Sequence, residues 1–355
     1  MTDFKTLEDL VKINTINDKN NEEFIDYISK LLNKKNFKVE KLTNKDGNSC
    51  LIAKTKDKCN LCFMGHSDTV VYSEGWHTNP FELTRKDNNL YGLGVCDMKG
   101  GIAAFLDSIE DIDLNKIESG LMIIITYDEE VGFEGIKFIK DRKDIPNNII
   151  IGEPTNLEPI ISCKGCMEYK VSFEGIAVHS SVMVNGENAI LKATDFIKDL
   201  NRFFNKLKAD NNNTFEIPFT TMNIATINGG NVINIVPNKC ELTFDFRTVK
   251  EEHHELIRKK IKKLCKKYNA KYETITDVLP TNNESKENIE LIEKLTNKKS
   301  TGVNYVTEGN FLLNKNIIIL GPGPVTAHEV DEHIEIDSYK KAIIIYKNII
   351  KNLCK

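Results

Sequence analysis

The sequence predicts an α/β protein in which a mixed, mostly parallel sheet flanked by helices is interrupted by a smaller α+β domain. Short apolar runs such as residues 61–64 and 121–126 alternate with segments whose apolar residues recur at helical spacing, which is typical of a sheet layered by helices. Between residues 166 and 275 the pattern changes to alternating strands and two long amphipathic helices. We therefore expect a discontinuous first domain, residues 1–165 and 276–355, around an inserted domain, residues 166–275.

The composition indicates a globular protein and argues against a nucleic-acid or membrane partner. The chain has 355 residues, 40% hydrophobic and 28% charged, with a formal net charge of −4 at pH 7. Because Lys and Arg are interspersed with Asp and Glu, no basic surface for nucleic acid or anionic lipid is predicted. No apolar run approaches the ~20 residues of a membrane span, and no signal-peptide core follows the first five residues. We expect a cytoplasmic protein.

The nine cysteines are predicted to be reduced, small, buried residues. A zinc site is the alternative, because Cys59 and Cys62 form one C-x-x-C pair and Cys163 and Cys166 form another. Roughly a hundred residues separate the two pairs, whereas compact zinc sites space them by ~15–20 residues. Both pairs also lie in or beside strand-like runs, where residues three apart face opposite sides. The pattern therefore disfavours a four-thiolate zinc.

The first part of the chain is predicted to begin with two helices, residues 6–11 and 22–34, because apolar residues recur there at helical spacing. Apolar or alternating runs then predict several strands. These strands cover residues 37–42, 49–53, 61–64 and, as a short exposed strand between turn signals, 81–83.

A histidine and an aspartate follow the predicted strand at residues 61–64. His66 and Asp68 lie just beyond Gly65, and open α/β sheets place their ligands at the carboxyl ends of strands. A metal-binding imidazole commonly has a carboxylate beside it that orients the ring. Taken alone, the pair is also compatible with an ordinary polar loop.

Further acids stand at comparable positions along the chain. Asp97 precedes a predicted helix from residue 102 to 109, where it is either a helix cap or a metal ligand. Three adjacent acids, residues 128–130, follow the apolar strand at 121–126, and Glu153 follows another at 149–151. Adjacent carboxylates repel one another, so a metal ion is the simplest compensation and a solvated acidic turn is the alternative.

The remaining predicted elements lie between residue 136 and the end of the chain and include those of the inserted domain. The patterns predict strands over residues 166–173, 219–227, 242–247 and 317–320, and helices over 136–139, 189–207, 256–268, 289–295 and a final stretch that begins at Asp337.

The order of these motifs resembles the M20 family of dinuclear metallo-aminoacylases and metallopeptidases, over nearly the whole chain. Five motifs in the same order carry the resemblance, although any one alone would be weak. They are GHSDTV at residues 65–70, GVCDMKGG at 94–101, DEE at 128–130, GEPT at 152–155 and AHEVDE at 327–332.

The resemblance implies two divalent ions, Zn²⁺ or Co²⁺ with Mn²⁺ possible, held by two imidazoles and three carboxylates. Asp97 would be shared between the ions, His66 and Glu153 would complete one site, and Glu130 and His328 the other. Asp68 would hold the second ring nitrogen of His66.

Glu129 is implied to be the general base, which takes a proton from the attacking water and returns it to the leaving amine. A second ligand or a surface acid is the alternative for this residue.

Other residues are implied to act on the substrate. His179 in the inserted domain is the candidate oxyanion donor, supplied across a homodimer, although a polar turn also fits a His beside two serines. Arg247 is a candidate for the substrate carboxylate, with a surface salt bridge as the alternative, and Asn234 and Gly323 are candidates for substrate contact. A site divided between two domains implies hinge closure around the substrate.

Within the family the chain looks most like acetylornithine deacetylases, and next like succinyl-diaminopimelate desuccinylases. The LGPG run at residues 320–323, the AHEVDE motif and the VTE run at 306–308 favour the first group. The implied function is removal of an N-acyl group from a small-molecule N-acyl amino acid, with a dipeptidase or carboxypeptidase as a further alternative. A binding module with lost catalysis is disfavoured by Glu129, and a structural zinc protein by the cysteine spacing.

Overall fold

The computed structural model describes residues 4–16 and 20–355, and the chain divides into two compact units. Unit 1 comprises Met1–Ile161, Asn282–Thr301 and Phe311–Lys355, and unit 2 comprises Ser162–Thr281 and Gly302–Asn310. The segment predicted as an inserted domain, residues 166–275, lies within unit 2.

Each helix that the periodicity predicts is present, and two of them have the predicted bounds. The helices are α1 (Lys5–Lys12), α2 (Glu22–Lys34), α3 (Lys99–Ser108), α4 (Glu134–Ile139), α5 (Ala189–Leu207), α6 (Glu251–Tyr268), α7 (Lys286–Thr296) and α8 (Ile336–Leu353), with short 3₁₀ helices at Ser180–Asn185 and Glu308–Phe311.

The strands form three sheets. They are β1 (Lys38–Thr43), β2 (Ser49–Lys54), β3 (Cys59–His66), β4 (Thr84–Lys86), β5 (Asn89–Tyr91), β6 (Gly120–Thr126), β7 (Asn148–Ile151), β8 (Ile160–Cys163), β9 (Gly165–Glu174), β10 (Thr221–Gly229), β11 (Lys239–Thr248), β12 (Ala270–Val278), β13 (Thr281–Asn282), β14 (Thr301–Val303), β15 (Asn316–Ile319) and β16 (His333–Glu335).

The large sheet of unit 1 is mixed and has a parallel centre. Its strands follow the order β1-β2-β6-β3-β7-β15; β3 pairs in parallel with β6 and β7, and β15 pairs in parallel with β7. Every residue of β6 is buried, as expected of a strand covered on both faces. The predicted fold class is confirmed, and the carboxyl ends of these four strands lie at one edge of the sheet.

Helices α3 and α8 pack on one another and on β3. The ring of Phe63 in β3 stacks on Phe105 in α3 with centroids 4.0 Å apart, and Tyr346 in α8 meets both rings edge to face. Such aromatic pairs stabilise the fold by more than the apolar area that they bury, so this cluster fixes α3 relative to β3.

The start of α3 approaches the end of β7 more closely than a side chain would allow. A Cβ atom added to Gly101 would lie 1.9 Å from the carbonyl oxygen of Gly152. Because Asp97 lies just before α3 and Glu153 follows Gly152, this glycine contact brings two of the predicted ligands towards each other.

Unit 2 is an antiparallel sheet covered by two helices. Its strand order is β10-β11-β9-β12, with antiparallel pairing throughout. The helices α5 and α6 bury Phe196 and Ile261 against strand residues such as Phe173, Phe244 and Phe246. An α+β arrangement is therefore present in the segment where the sequence changes pattern.

Two local predictions need correction. Residues 81–83 form a turn and not a strand, and the nearby strand is β4 at 84–86. The last helix begins at Ile336, one residue before the predicted Asp337. In the part of the chain that the structure describes, no helix is both long and apolar enough to cross a membrane.

Candidate metal centre

The predicted ligands of unit 1 are placed by the parallel strands. His66 is the last residue of β3, Glu130 follows β6 by four residues, and Glu153 follows β7 by two. Asp97 lies two residues before α3, and His328 lies beyond β15 with a backbone φ of 65°. The common edge of these strands explains why side chains distant in sequence converge here.

Asp97 lies between two imidazoles. Its Oδ1 is 3.1 Å from Nε2 of His66, and its Oδ2 is 3.5 Å from Nε2 of His328. On the side of His66, Oε1 of Glu153 is 3.4 Å from the same Nε2. On the side of His328, Oε2 of Glu130 is 3.1 Å from Nε2. The five residues thus form two imidazole–carboxylate sets that share Asp97.

Glu129 lies at the same site. A carboxylate oxygen of Glu129 and ligand atoms of His66 and Glu153 all lie within 4.8 Å of one another. The same is true of ligand atoms of His66, Asp97 and Glu130. The proximity of Glu129 to His66 and Glu153 is compatible with a general base and with a further ligand, two of the three interpretations that the sequence leaves open, the third being a surface acid.

Asp68 connects the loop after β3 to the loop after β6. Nδ1 of His66 is 3.0 Å from the backbone carbonyl oxygen of Asp68 and 3.5 Å from its Oδ1. The other carboxylate oxygen, Oδ2, accepts the backbone N–H of Glu130 at 3.2 Å. Asp68 therefore contacts the ring of His66 mainly through its carbonyl, while its carboxylate also anchors the acidic loop.

The imidazoles and Asp97 stabilise each other's charges. Burial lowers the pKa of His66, but the charge of Glu153 and hydrogen bonds to neighbouring carboxylates outweigh burial and raise that pKa well above its usual value. A hydrogen bond to Asp97 is the main cause that raises the pKa of His328 to about 9. Burial alone would raise the pKa of Asp97, yet hydrogen bonds with both histidines hold it well below its usual range.

The pKa values of Glu130 and Glu153 are raised, in contrast to the lowered pKa of Asp97. Burial, followed by the charge of Asp97, raises the pKa of Glu153 to about 8 and that of Glu130 to about 6. Without a compensating cation, burial and the neighbouring charge of Asp97 thus favour the protonated form of both carboxyl groups. Metal binding to such ligands displaces protons.

The donor set fits divalent cations. Among residues 4–16 and 20–355, the ion pairs of Asp97, Glu130 and Glu153 are with histidine and none is with Lys or Arg. Imidazole nitrogen and carboxylate oxygen are ligands for borderline ions such as Zn²⁺, Co²⁺ and Mn²⁺. The residues present therefore match the metal chemistry that the sequence predicts.

The competing interpretations of these acids do not match the geometry. The N-cap residue of α3 is Met98 and no side chain caps the helix, so Asp97 is not its capping side chain. The side chain of Glu130 is only 6% exposed, which a solvated acidic turn would not produce. Within the described part of the chain, the candidate metal groups contain no cysteine, and every cysteine is a free thiol.

His179 of unit 2 is exposed and its tautomer is restricted. The backbone N–H of Ser181 donates to Nδ1 of His179 at 3.2 Å, and the Ser181 hydroxyl lies 2.8 Å from the same atom. An Nδ1 that accepts places the proton of the neutral ring on Nε2. The N–H of Ser180 donates to the carbonyl oxygen of Asn234 at 2.9 Å, which joins the segments that carry both predicted residues.

The remaining substrate candidates have ordinary partners. Nε of Arg247, on β11, is 3.4 Å from Oδ1 of Asp245, which agrees with the salt-bridge alternative. In unit 1, the N–H of Gly323 donates to the Ser338 hydroxyl at 2.9 Å.

The structure also shows contacts at the site that sequence reasoning missed. Sδ of Met98 accepts the backbone N–H of His66 at 3.3 Å. Glu332 is buried and accepts backbone N–H groups of the loop that carries Asp97. The motif at residues 327–332 includes Glu332, but a partner that is backbone amide leaves no pattern in the sequence.

Known proteins resemble this chain over most of its length. The family model described as peptidase family M20/M25/M40 matches residues 62–352. Acetylornithine deacetylase of Buchnera aphidicola subsp. Schizaphis graminum is 34% identical over 99% of this chain and 97% of its own, and that of Photorhabdus laumondii is 33% identical over 95% and 92%.

Solved structures share the fold at low sequence identity. Aminopeptidase PepT of Bacillus cereus has a TM-score of 0.82 at 20% identity, with 98% of this chain and 97% of the other covered. The YXEP protein of Bacillus subtilis, described as a dinuclear metal-binding peptidase, has a TM-score of 0.69 at 13% identity, with 98% and 97% covered.

An acid–imidazole cluster at the carboxyl edge of a mixed α/β sheet defines a metal-dependent hydrolase that acts on amide bonds. More particularly, the chain belongs to peptidase family M20/M25/M40, because that model covers most of its length. The predicted family is confirmed.

A divalent metal should stabilise unit 1 against unfolding, since binding to the folded state alone contributes ~2.7 kcal/mol at a free metal concentration 100-fold above Kd. We expect the melting temperature to rise when chelator is replaced by Zn²⁺ or Co²⁺. Asp97→Ala should lose most of this rise, because Asp97 contacts both imidazoles, whereas Asp113→Ala, at an exposed acid, should retain it. An equal rise in both variants would contradict the assignment.

Proposed function

We propose that the protein removes the N-acyl group from a small N-acyl amino acid, with N-acetylornithine as the favoured substrate. The observation that carries this proposal is 33–34% identity to acetylornithine deacetylases over 95–99% of the chain. The metal centre supports amide hydrolysis in general, and the substrate is inferred from these relatives.

Two divalent ions are proposed to bind in unit 1. His66 and Glu153 would hold one, Glu130 and His328 the other, and Asp97 both. The support is that each oxygen of Asp97 faces a different imidazole, at 3.1 and 3.5 Å. When bound, such a metal pair polarises the amide carbonyl and lowers the pKa of the attacking water.

Glu129 is proposed as the general base. The support is that Glu129 neighbours the proposed ligand Glu130 and has a carboxylate oxygen within 4.8 Å of ligand atoms of His66 and Glu153, so it would be near a water held by the proposed metal ions. Its carboxylate would take a proton from that water and then pass it to the leaving nitrogen, as the free amine must gain one proton when the C–N bond breaks.

His179 is proposed as the oxyanion donor. Because Nδ1 accepts from Ser181, the neutral ring offers an N–H at Nε2, and a positioned N–H donor stabilises the negative charge that develops on the carbonyl oxygen. Arg247, Asn234 and Gly323 remain candidates for substrate contact. Their support is the family resemblance.

A homodimer is also proposed, through unit 2. Two segments joined by the Ser180–Asn234 and Val236–Val178 hydrogen bonds present exposed apolar side chains. Val184 is 88% exposed and Ile233 fully exposed, and among the residues that the structure describes no strand pairs with the outer edge of β10. Apolar patches and free sheet edges of this kind are typical of protein interfaces.

Glu129→Gln should keep the metal and lose turnover. A general base contributes ~10²–10⁴-fold to the rate, so we expect kcat to fall within that range while the metal content stays unchanged. Glu134→Gln is the matched control, because Glu134 is an exposed acid at the start of α4. Turnover near that of the control, or a loss of bound metal, would contradict the role of a base that is not a ligand.

The substrate proposal predicts a ranking of kcat/KM. Zinc- or cobalt-loaded protein should cleave N-acetylornithine at least tenfold more efficiently, ~1.4 kcal/mol in transition-state free energy, than N-succinyl-diaminopimelate or unmodified dipeptides. The Glu129→Gln variant serves as the blank for each substrate. A preference for the succinyl compound would favour a desuccinylase, and a preference for dipeptides a peptidase.

The dimer proposal predicts that Val184→Asp combined with Ile233→Asp yields monomers, because burying two carboxylates in an apolar interface is unfavourable. Light scattering after gel filtration measures the mass. Ile344→Asp is the control, since Ile344 is 60% exposed on α8 of unit 1. A wild-type protein that is already monomeric would refute the proposal.

A further inference from the structure

Glu332 is a buried carboxylate with three backbone donors. Only 1% of the residue is exposed. Its Oε2 accepts the N–H of Gly94 at 2.8 Å, and its Oε1 accepts the N–H groups of Cys96 at 2.7 Å and Asp97 at 3.0 Å. One side chain therefore binds three of four successive amides in the loop that ends at Asp97.

The loop is shaped around this carboxylate. Gly94 has a φ of 78°, and a Cβ atom there would lie 2.7 Å from the side chain of Thr69. Successive N–H groups that converge in a turn form a concave site for an anion. A buried carboxylate is costly unless hydrogen-bonded, so the loop and Glu332 stabilise one another.

The segment that carries Glu332 also carries a predicted metal ligand. His328 precedes Glu332 by four residues, and the carbonyl oxygen of Glu332 accepts the N–H of Gly92 at 3.2 Å. The intervening Asp331 accepts the N–H of His77 at 2.8 Å. A single short segment thus presents His328 and holds, at both ends, the loop that leads to Asp97.

We propose that Glu332 is a positioning residue, which holds Asp97 between His66 and His328 before any metal binds. The restraint acts through the backbone. With the N–H of Asp97 fixed to Oε1 of Glu332, the peptide unit has one orientation, and the Asp97 carboxylate is directed to the two imidazoles. Without Glu332, three amides of a buried loop would lack their acceptor, and the loop would relax away from this geometry.

The proposal rests on the metal centre proposed above, so its test needs a readout in the metal-free protein as well as in the metal-bound one. Groups that orient metal ligands typically contribute 10–100-fold to metal affinity. We therefore expect Glu332→Ala to weaken Zn²⁺ or Co²⁺ binding 10–100-fold in a calorimetric titration.

Hydrogen exchange of the metal-free protein directly tests whether Glu332 holds the loop at residues 94–97. The amides of Gly94, Cys96 and Asp97 should exchange slowly in the wild type and at least tenfold faster in Glu332→Ala. In Glu332→Gln only one oxygen remains, so part of this protection should be lost at unchanged side-chain size. If the alanine variant does not fold, amide exchange in the glutamine variant tests the proposal.

Glu293→Ala is the matched control. Glu293 of α7 also accepts a loop amide, the N–H of Ser300 at 2.9 Å, but neither residue belongs to the candidate metal groups. This variant should change neither metal affinity nor exchange at residues 94–97.

The outcomes separate the two proposals. A folded Glu332 variant with wild-type metal affinity and wild-type exchange at residues 94–97 would overturn the positioning role. A wild-type protein that binds no divalent metal would overturn the proposed metal centre. In that case, faster exchange at residues 94–97 in a Glu332 variant would still support the role of Glu332 in holding the loop. A metal affinity that falls equally in Glu293→Ala would show a general loss of stability and would also overturn the role.

Discussion

The crowding of carboxylates around Asp97 is the constraint on which this site depends. Asp97, Glu130 and Glu153 are largely buried, and their ion pairs in the described chain are with two histidines only. Burying several like charges is unfavourable unless cations compensate them. In agreement with this, burial and the charge of Asp97 raise the pKa values of Glu130 and Glu153. The site is therefore arranged for a cation that the protein itself does not supply.

Strand order alone does not produce this arrangement. The parallel pairing of β3, β6, β7 and β15 brings their carboxyl ends to one edge, but most of the proposed ligands lie in loops beyond that edge. Specific contacts fix those loops: the close approach of Gly101 to Gly152, the hydrogen bond from the Glu130 amide to Asp68, and the three amides bound by Glu332. The sheet thus sets the approximate positions, and backbone contacts set the distances.

The sequence could predict the elements that position the site, but not the backbone contacts that fix its loops. The bounds of α2 and α5 follow directly from apolar periodicity, and the proposed ligands are suggested by the sequence because each follows an apolar strand or precedes a helix. Strand β12, Ala270–Val278, escapes prediction because it is an exposed edge strand with little apolar alternation, and the strand predicted at residues 81–83 is wrong because it rests on a short apolar pair between turns. The role of Glu332 could not be predicted, since its partners are amides that every residue possesses.

Fold and sequence similarity support different levels of the functional conclusion. The solved aminopeptidase PepT shares the fold at a TM-score of 0.82 but only 20% identity, and a shared fold alone does not identify the substrate. The proposed metal centre does not select among substrates either, because it would act on the scissile amide and not on the rest of the substrate. Selectivity must then come from residues that contact the acyl group or the amino-acid side chain. The identity of 33–34% to acetylornithine deacetylases extends over 95–99% of the chain, and for that reason it carries more weight for the proposed substrate than the geometry of the candidate metal centre does.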